Sequence, residues 1–238
     1  YKNPHVMRHF AEVTKGNFMK RCVIFISDFK YKKEDIATLV KSTSKSISLV
    51  IADSNYGVSK GDRISSEFDL PEDKWGVEEF EQAIQVVRDA IGTLENTRWV
   101  FFVSSRQIGD VLTALAANNM CFKLLVWTKQ TNKPALGRSW RHNCEYIVFC
   151  WARVGEGDAE RFVVPCPADP ERYLTCFESP PVAKPFMFEG DILNAYQKPV
   201  SVMRRVLDYA APDEGVVIDL TCGSGTTCVS LLLSPISC

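Results

Sequence analysis

The 238-residue sequence lacks several features that would assign it to a common class of protein. No apolar run approaches the roughly 20 residues that a membrane-spanning helix needs, so no membrane association is predicted. Internal repeats and low-complexity tracts are missing as well. The net charge of −1 argues against a generic nucleic-acid binder. Cys144, Cys150, Cys166 and Cys176 form no Cys-x-x-Cys pair, and we therefore predict no metal site.

The composition is that of one folded domain. With 46% hydrophobic residues, the chain is long enough to bury a full core and too short to suggest two domains. Its nine cysteines are odd in number, and several stand in apolar stretches, which predicts free, buried thiols. We therefore expect an intracellular, reducing compartment (cytoplasm, nucleus or organelle matrix). We also expect the single domain, 1–238, to be incomplete at both ends.

The most informative segment combines a strand, a glycine-rich turn and the start of a helix. The apolar run 216–218 ends at Asp219, and Gly223-Ser224-Gly225 precedes a helix-compatible stretch that opens with Thr226. Glycines let the backbone approach a ligand closely, and free N–H groups at a helix start face it. No lysine follows the second glycine, so the turn is not a phosphate-binding P-loop. A cofactor without phosphate, such as S-adenosylmethionine, suits this turn.

A second segment places polar residues at the end of another strand. The short apolar run Ile47–Ala52 leads directly into Asp53-Ser54-Asn55-Tyr56. A carboxylate and backbone carbonyls can accept hydrogen bonds from a planar amine, and an aromatic ring can stack on a base. The same residue types are also common in ordinary polar turns, so this segment acquires meaning only beside the glycine-rich one.

Together these segments resemble the S-adenosylmethionine-dependent DNA adenine/cytosine amino-methyltransferases, in their permuted (beta-class) branch. The catalytic motif of that family, Asp-Pro-Pro-Tyr, corresponds to Asp53, Ser54, Asn55 and Tyr56. Its cofactor motif, Asp-Pro-Phe-x-Gly-Ser-Gly-Thr-Thr, corresponds to 219–227, and Gln197-Lys198-Pro199 resembles the family's Lys-Pro that borders the methionine end of the cofactor. The resemblance implies cofactor-binding roles for the following residues: Asp219, Gly223, Ser224, Gly225, Thr226 and Lys198.

The sequence departs from the family pattern in two places. Both prolines of the catalytic motif are replaced, by Ser54 and Asn55, which should loosen the backbone around a base pocket. The helix after the glycine turn is followed by Ser234-Pro235-Ile236-Ser237-Cys238 rather than by the family's ribose-binding strand. We therefore expect the present chain to bind the cofactor less tightly than a longer version would.

Charge is unevenly distributed along the chain. Between Val111 and Cys144 there are five cations and no acid, and two tryptophans stand among them. Cations interleaved with aromatic rings suit phosphate contacts and base stacking, although Trp127 could equally belong to the core. The residues predicted to contact nucleic acid are Lys129, Lys133, Arg138, Trp140 and Arg141.

The alternation of elements predicts an α/β domain with a Rossmann-like methyltransferase fold. We expect a mostly parallel sheet with one antiparallel hairpin, helices on both faces, and a circularly permuted motif order. Residues 153–190 hold six of the twelve prolines and are expected outside the sheet; 153–197 resembles a short target-recognition insert. The predicted strands are Cys22–Ser27, Ile47–Ala52, Trp99–Ser104, Phe122–Thr128 and Glu145–Ala152, with a strand ending at Asp219, and the predicted helices are Lys33–Lys41, Val77–Glu95 and Gln107–Asn118.

The sequence thus predicts an enzyme that transfers a methyl group from S-adenosylmethionine to an exocyclic amine of adenine or cytosine in DNA. Two alternatives stay open. The chain could be a catalytically impaired, methyltransferase-like module that binds nucleic acid or protein, or its amine substrate could belong to RNA or to a protein. The choice of base, the target sequence and the oligomeric state do not follow from the sequence.

Overall fold

The structure is a computed structural model. It describes residues 10–15, 18–25, 46–54, 74–130, 143–155, 174–183, 187–188, 191–192, 197–210 and 215–233. The predicted helix Lys33–Lys41 lies outside these residues. In the described part of the chain, no helix is long and apolar enough to cross a membrane.

The described elements follow the predicted alternation of strands and helices. The strands are β1 (Phe10–Lys15), β2 (Phe18–Phe25), β3 (Ile47–Asp53), β4 (Arg98–Val103), β5 (Met120–Lys129), β6 (Cys144–Ala152), β7 (Cys176–Ser179), β8 (Met187–Phe188), β9 (Asp191–Ile192) and β10 (Gly215–Asp219). The helices are α1 (Val77–Ile91), α2 (Ile108–Ala117), α3 (Val200–Ala210) and α4 (Thr226–Leu233), and a 3₁₀ turn, Ser105–Gln107, precedes α2.

Eight strands form one sheet in the order β1-β2-β10-β3-β4-β6-β5-β7. Strands β2, β10, β3 and β4 are parallel neighbours, and β5 and β7 are parallel to each other. Among these eight described strands, β1 and β6 run in the opposite direction, and β6 pairs antiparallel with both β4 and β5. The predicted mostly parallel sheet with an antiparallel hairpin is therefore confirmed.

Buried side chains cover both faces of this sheet. Along β4, Trp99, Phe101 and Val103 point into the core beneath α1 and α2, whereas Val100 and Phe102 point into the core beneath α3 and α4. This alternation follows from the two-residue period of a strand. A sheet buried on both faces explains why its central strands are continuous apolar runs.

Two predictions about individual elements are corrected. Helix α1 ends at Ile91 rather than Glu95, because Gly92 adopts φ +81° and its N–H donates to the Arg88 carbonyl at 2.8 Å. The segment 153–190 is not wholly outside the sheet, since its residues Cys176–Ser179 form the edge strand β7 beside β5. Four residues are too few to give a periodic signal, although Phe177 and Ser179 are buried as alternation requires.

Candidate active site

The two motifs meet at one edge of the sheet. Strands β3 and β10 are adjacent and parallel, with Asp219 opposite Ile51, so both strands deliver their motif residues at their carboxyl ends. The Leu220 N–H donates to the Ile51 carbonyl at 2.8 Å, and the Asp53 N–H donates to Thr221 Oγ1 at 2.6 Å. Asp53 and the glycine turn therefore lie at the same edge of the sheet. In parallel α/β sheets, this edge is where ligands bind.

The glycine turn has the backbone conformation that only glycine adopts without strain. Gly223 and Gly225 have φ values of +49° and +77°. A Cβ added to Gly225 would meet no atom within 4 Å, so the turn borders open space at the first residues of α4. The N–H groups of the first helical turn have no partner inside the helix and can bind a ligand's oxygen atoms there.

Asp219 holds the glycine turn in place. Its Oδ1 accepts the Thr221 N–H at 3.0 Å and its Oδ2 accepts the Thr227 hydroxyl at 2.5 Å. The side chain is buried, and this burial raises the pKa of Asp219 from 3.8 to about 6, against the opposing effect of the two hydrogen bonds. Burial and the charge of Asp219 also raise the pKa of Cys222 to about 12, so that thiol stays neutral.

Ser54, which replaces the first motif proline, is directed into the protein. It is 3% exposed, and its hydroxyl donates to the Phe102 carbonyl at 2.7 Å. A second acceptor, Oε1 of Gln107, lies 3.3 Å from the same hydroxyl oxygen. Its backbone N–H donates to the same carbonyl at 3.1 Å. A proline at this position would have neither the N–H nor the hydroxyl, so Ser54 ties the end of β3 to β4 by bonds that a proline cannot make.

Lys198 forms an ion pair with the carboxylate of Asp53. Its ammonium donates to both Oδ1 and Oδ2 of Asp53 at 2.7 Å and lies 3.3 Å from Glu145 Oε2. The Lys198 side chain is 7% exposed and that of Asp53 is 28% exposed. Burial lowers the pKa of Lys198, but its two carboxylate partners outweigh burial, so its pKa is raised overall. The ammonium also stands 5.4 Å above the Phe102 ring.

Glu145 is a residue of this site that the sequence did not reveal. It lies on β6 opposite Trp127 of β5, and its second oxygen, Oε1, is 2.5 Å from the Lys129 ammonium. The ion pairs thus form one row of alternating charges, in the order Lys129, Glu145, Lys198 and Asp53. A lone glutamate at the start of a strand resembles an ordinary exposed residue, so only the pairing of β5 with β6 and the position of Lys198 reveal its role.

The remaining predicted residues divide into two groups. Asn55, Tyr56, Lys133, Arg138, Trp140 and Arg141 lie outside the described residues. Lys129 is described, and its ammonium is paired with Glu145. Trp127 belongs to the core, because it is 2% exposed and its indole N–H donates to the Ser179 carbonyl at 2.9 Å.

Sequence and structure comparisons give different results. The sequence matches no protein-family model and no curated protein. The structure is similar to M1.HpyAVI in complex with SAM, with a TM-score of 0.56 and 17% identity over 89% of this chain and 90% of that one. It is also similar to TTHA0409, a proposed DNA modification methylase from Thermus thermophilus, in complex with S-adenosyl-L-methionine. There the TM-score is 0.51 and the identity 15%, over 89% of this chain and 84% of that one. These likenesses establish that the chain has the Rossmann-like fold of these methyltransferases.

Proposed function

We propose that this protein is an S-adenosylmethionine-dependent methyltransferase that acts on the exocyclic amine of adenine or cytosine in DNA. The observation that carries the proposal is the junction of the two motifs, where the Asp53 N–H donates to Thr221 beside the glycine turn. An amine acceptor and a cofactor-binding turn therefore adjoin on one edge of the sheet. The shared fold of solved proteins complexed with S-adenosylmethionine supports the same function.

The residues of the glycine turn fit the methionine part of this cofactor. Gly223 and Gly225 have the positive φ of an open turn, and the N-terminus of α4 attracts a carboxylate group. Ser224 and Thr226 add hydroxyl groups, which lie 3.2 Å from each other. Asp219 supports the turn from behind, because both of its oxygens bind the turn and the first helical residues. When bound, the cofactor supplies an electrophilic methyl group.

Asp53 provides the other half of the reaction. A base extruded from the DNA stack would present its amine to the Asp53 carboxylate, which accepts hydrogen bonds and orients the nitrogen lone pair. Tyr56 would stack on the base and Asn55 would offer a backbone carbonyl. Ser54 contributes by fixing the start of the motif to β4. Catalysis would then depend chiefly on alignment of the nitrogen with the methyl group. As the nitrogen–carbon bond forms, the bond from that carbon to sulfur would break, the neutral thioether would leave, and the methylated amine would release one proton to water.

The basic segment, which runs from Lys129 to Arg141, supplies the contacts to DNA in this proposal. Lys133, Arg138 and Arg141 would bind backbone phosphates, and Trp140 would stack on a base or sugar. Lys129 would share its charge between Glu145 and a phosphate. The segment 153–197 would contact the target sequence.

One observation favours a second candidate, a non-catalytic module that binds nucleic acid or protein. Lys198 donates to both oxygens of Asp53, and the carboxylate is thereby engaged before any amine arrives. A carboxylate has about four lone-pair sites, however, so the two bonds from Lys198 leave acceptor capacity for an amine. We therefore favour a methyltransferase over a non-catalytic binding module, and the experiment must exclude the module.

Calorimetric titration and a transfer assay test this proposal together. S-adenosylmethionine should bind the wild-type protein, and isotopically labelled methyl groups should appear in duplex DNA. The Asp53→Ala variant should bind the cofactor and transfer no methyl group above background. As a matched control, Glu95→Gln removes an exposed carboxylate before β4, at the opposite edge of the sheet, and should keep full activity. Cofactor binding without transfer to DNA, RNA or protein would favour the module.

A further inference from the structure

Glu145 belongs to neither sequence motif, yet it is a buried inner member of the row of charges that runs from Lys129 through Glu145 and Lys198 to Asp53. The residue is 9% exposed, and its two oxygens contact two different lysines, Lys129 at 2.5 Å and Lys198 at 3.3 Å. Buried carboxylates are costly unless they are paired, so these contacts account for its presence in the interior. The two outer residues of this row of four charges are more exposed than Glu145. The side chain of Lys129 is 30% exposed and that of Asp53 is 28% exposed.

The geometry around Lys198 gives Glu145 a specific task. An ammonium group has three hydrogens, and Asp53 accepts from Lys198 with both of its oxygens. Glu145 offers an acceptor from β6, which β4 separates from β3 in the sheet. The Phe102 ring faces the same ammonium at 5.4 Å. The position of Lys198 is therefore set by two carboxylates that attract it from different strands.

We propose that Glu145 is a positioning residue that holds Lys198 at its observed place against Asp53. This inference rests on the proposed function, in which Asp53 receives the substrate amine. While Glu145 shares the ammonium, Lys198 orients the Asp53 carboxylate and leaves it able to accept a further hydrogen bond. Without the charge of Glu145, the ammonium loses its attraction toward β6 and is held by Asp53 alone, so that Lys198 and the Asp53 carboxylate shift together. The substrate amine then meets an Asp53 carboxylate that is displaced and more fully neutralised by Lys198.

Lys129 extends this arrangement to the start of the basic segment. Its ammonium contacts Oε1 of Glu145, whereas Lys198 contacts Oε2, and the ammonium also lies 5.3 Å from the Trp127 ring. While Lys129 is bound there, part of the Glu145 charge is directed away from Lys198. A contact that removes Lys129 from Glu145 therefore strengthens the attraction between Glu145 and Lys198, and it weakens the attraction between Lys198 and Asp53.

The test compares Glu145→Gln with Glu145→Asp and with the control Glu95→Gln. In Glu145→Gln, kcat for methyl transfer should fall about tenfold to a hundredfold, because a displaced acceptor misaligns the amine. KM for S-adenosylmethionine should change less than about twofold, since the glycine turn is untouched and the Lys198 ammonium is held by Asp53 and Glu145. Glu145→Asp keeps the charge and should recover part of kcat, and Glu95→Gln should behave as the wild type.

A second measurement does not depend on activity. Nitrogen-15 NMR detects buried, ion-paired lysine ammonium groups through their slow proton exchange with water, and Lys198→Arg identifies the Lys198 signal by its loss. Exchange at Lys198 should change markedly in Glu145→Gln and stay at the wild-type rate in Glu95→Gln. An unchanged Lys198 signal in folded Glu145→Gln, or an unchanged kcat, would overturn the proposal. If the wild type transfers no methyl group, the proposed function fails, and the NMR signal alone decides whether Glu145 places Lys198.

Discussion

Replacing Asp219 by asparagine should change how the stability of the protein depends on pH. The carboxyl is 4% exposed, and its pKa rises from 3.8 to about 6 chiefly because burial penalises the charged form. The folded protein therefore binds this proton more readily than the unfolded chain does. Asp219 consequently adds stability as the pH falls below about 6, and that contribution is fully present below about 4.

The size of this effect follows from the pKa change. A rise from 3.8 to about 6 corresponds to about 3 kcal/mol of unfolding free energy between the two ends of the pH window. The asparagine side chain is uncharged and cannot contribute this pH dependence. It also accepts with one oxygen where Asp219 accepts from Thr221 and Thr227, which costs about 1–2 kcal/mol. The variant should therefore be least stable relative to the wild type at low pH.

Urea unfolding of both proteins between about pH 4 and pH 8 measures the difference directly. The unfolding free energy of the wild type minus that of Asp219→Asn should fall by about 3 kcal/mol as the pH rises through this range, so that the wild type is the more stable protein at low pH and the variant is the more stable one at high pH. Other titrating groups contribute almost equally to both proteins and cancel in the difference. Glu95→Gln controls for the loss of one negative charge. A difference that stays constant over the whole range would refute the account of Asp219.

Three further predictions concern other parts of the site. Ser54→Ala removes the hydroxyl bond to Phe102 and should lower the unfolding free energy, measured in urea, by about 1 kcal/mol. Ser54→Pro also removes the N–H bond to Phe102 and should lower it by about 2–3 kcal/mol; equal losses in the two variants would mean that the N–H bond is unimportant. Gly225→Ala should weaken calorimetric S-adenosylmethionine binding at least about tenfold, whereas Gly92→Ala, with a similar φ of +81° at the other edge of the sheet, should be destabilising without affecting binding. Lys129→Gln should reduce the salt slope of DNA binding by less than ~1, because Glu145 already neutralises part of its charge; a reduction of a full ~1 would show that the ion pair does not compete with phosphate.

Much of the fold could be predicted from the sequence because its signals are local. The apolar run of β10 ends in Asp219 and a glycine turn, and both features are visible within the short segment 216–227. The amphipathic spacing of α1 is likewise local, although its predicted end is wrong because Gly92 terminates the helix early. Strand β7 escaped prediction because its four residues carry too little pattern and are followed directly by two prolines.

The chemistry of the site was less accessible because it depends on contacts between distant segments. Lys198 and Asp53 are separated by 145 residues, and nothing in the Lys-Pro segment indicates that its ammonium binds the Asp53 carboxylate. Glu145 acquires its role only because β6 lies between β4 and β5 and brings its first residues near Lys198. In the sequence, the replacement of proline by Ser54 indicated a looser backbone at the end of β3. The structure instead shows two hydrogen bonds from Ser54 to β4 that a proline could not make.

The most direct test of the account is the identity of the product. Duplex DNA should be incubated with the protein and S-adenosylmethionine that carries a deuterated methyl group, then digested to nucleosides and examined by mass spectrometry. We expect one labelled species, adenine or cytosine methylated on its exocyclic nitrogen, and we expect that species to be lost with Asp53→Ala. A protein that binds the cofactor yet yields no labelled nucleoside, or one that yields the same product with Asp53→Ala, would contradict the assignment of this edge of the sheet as the active site.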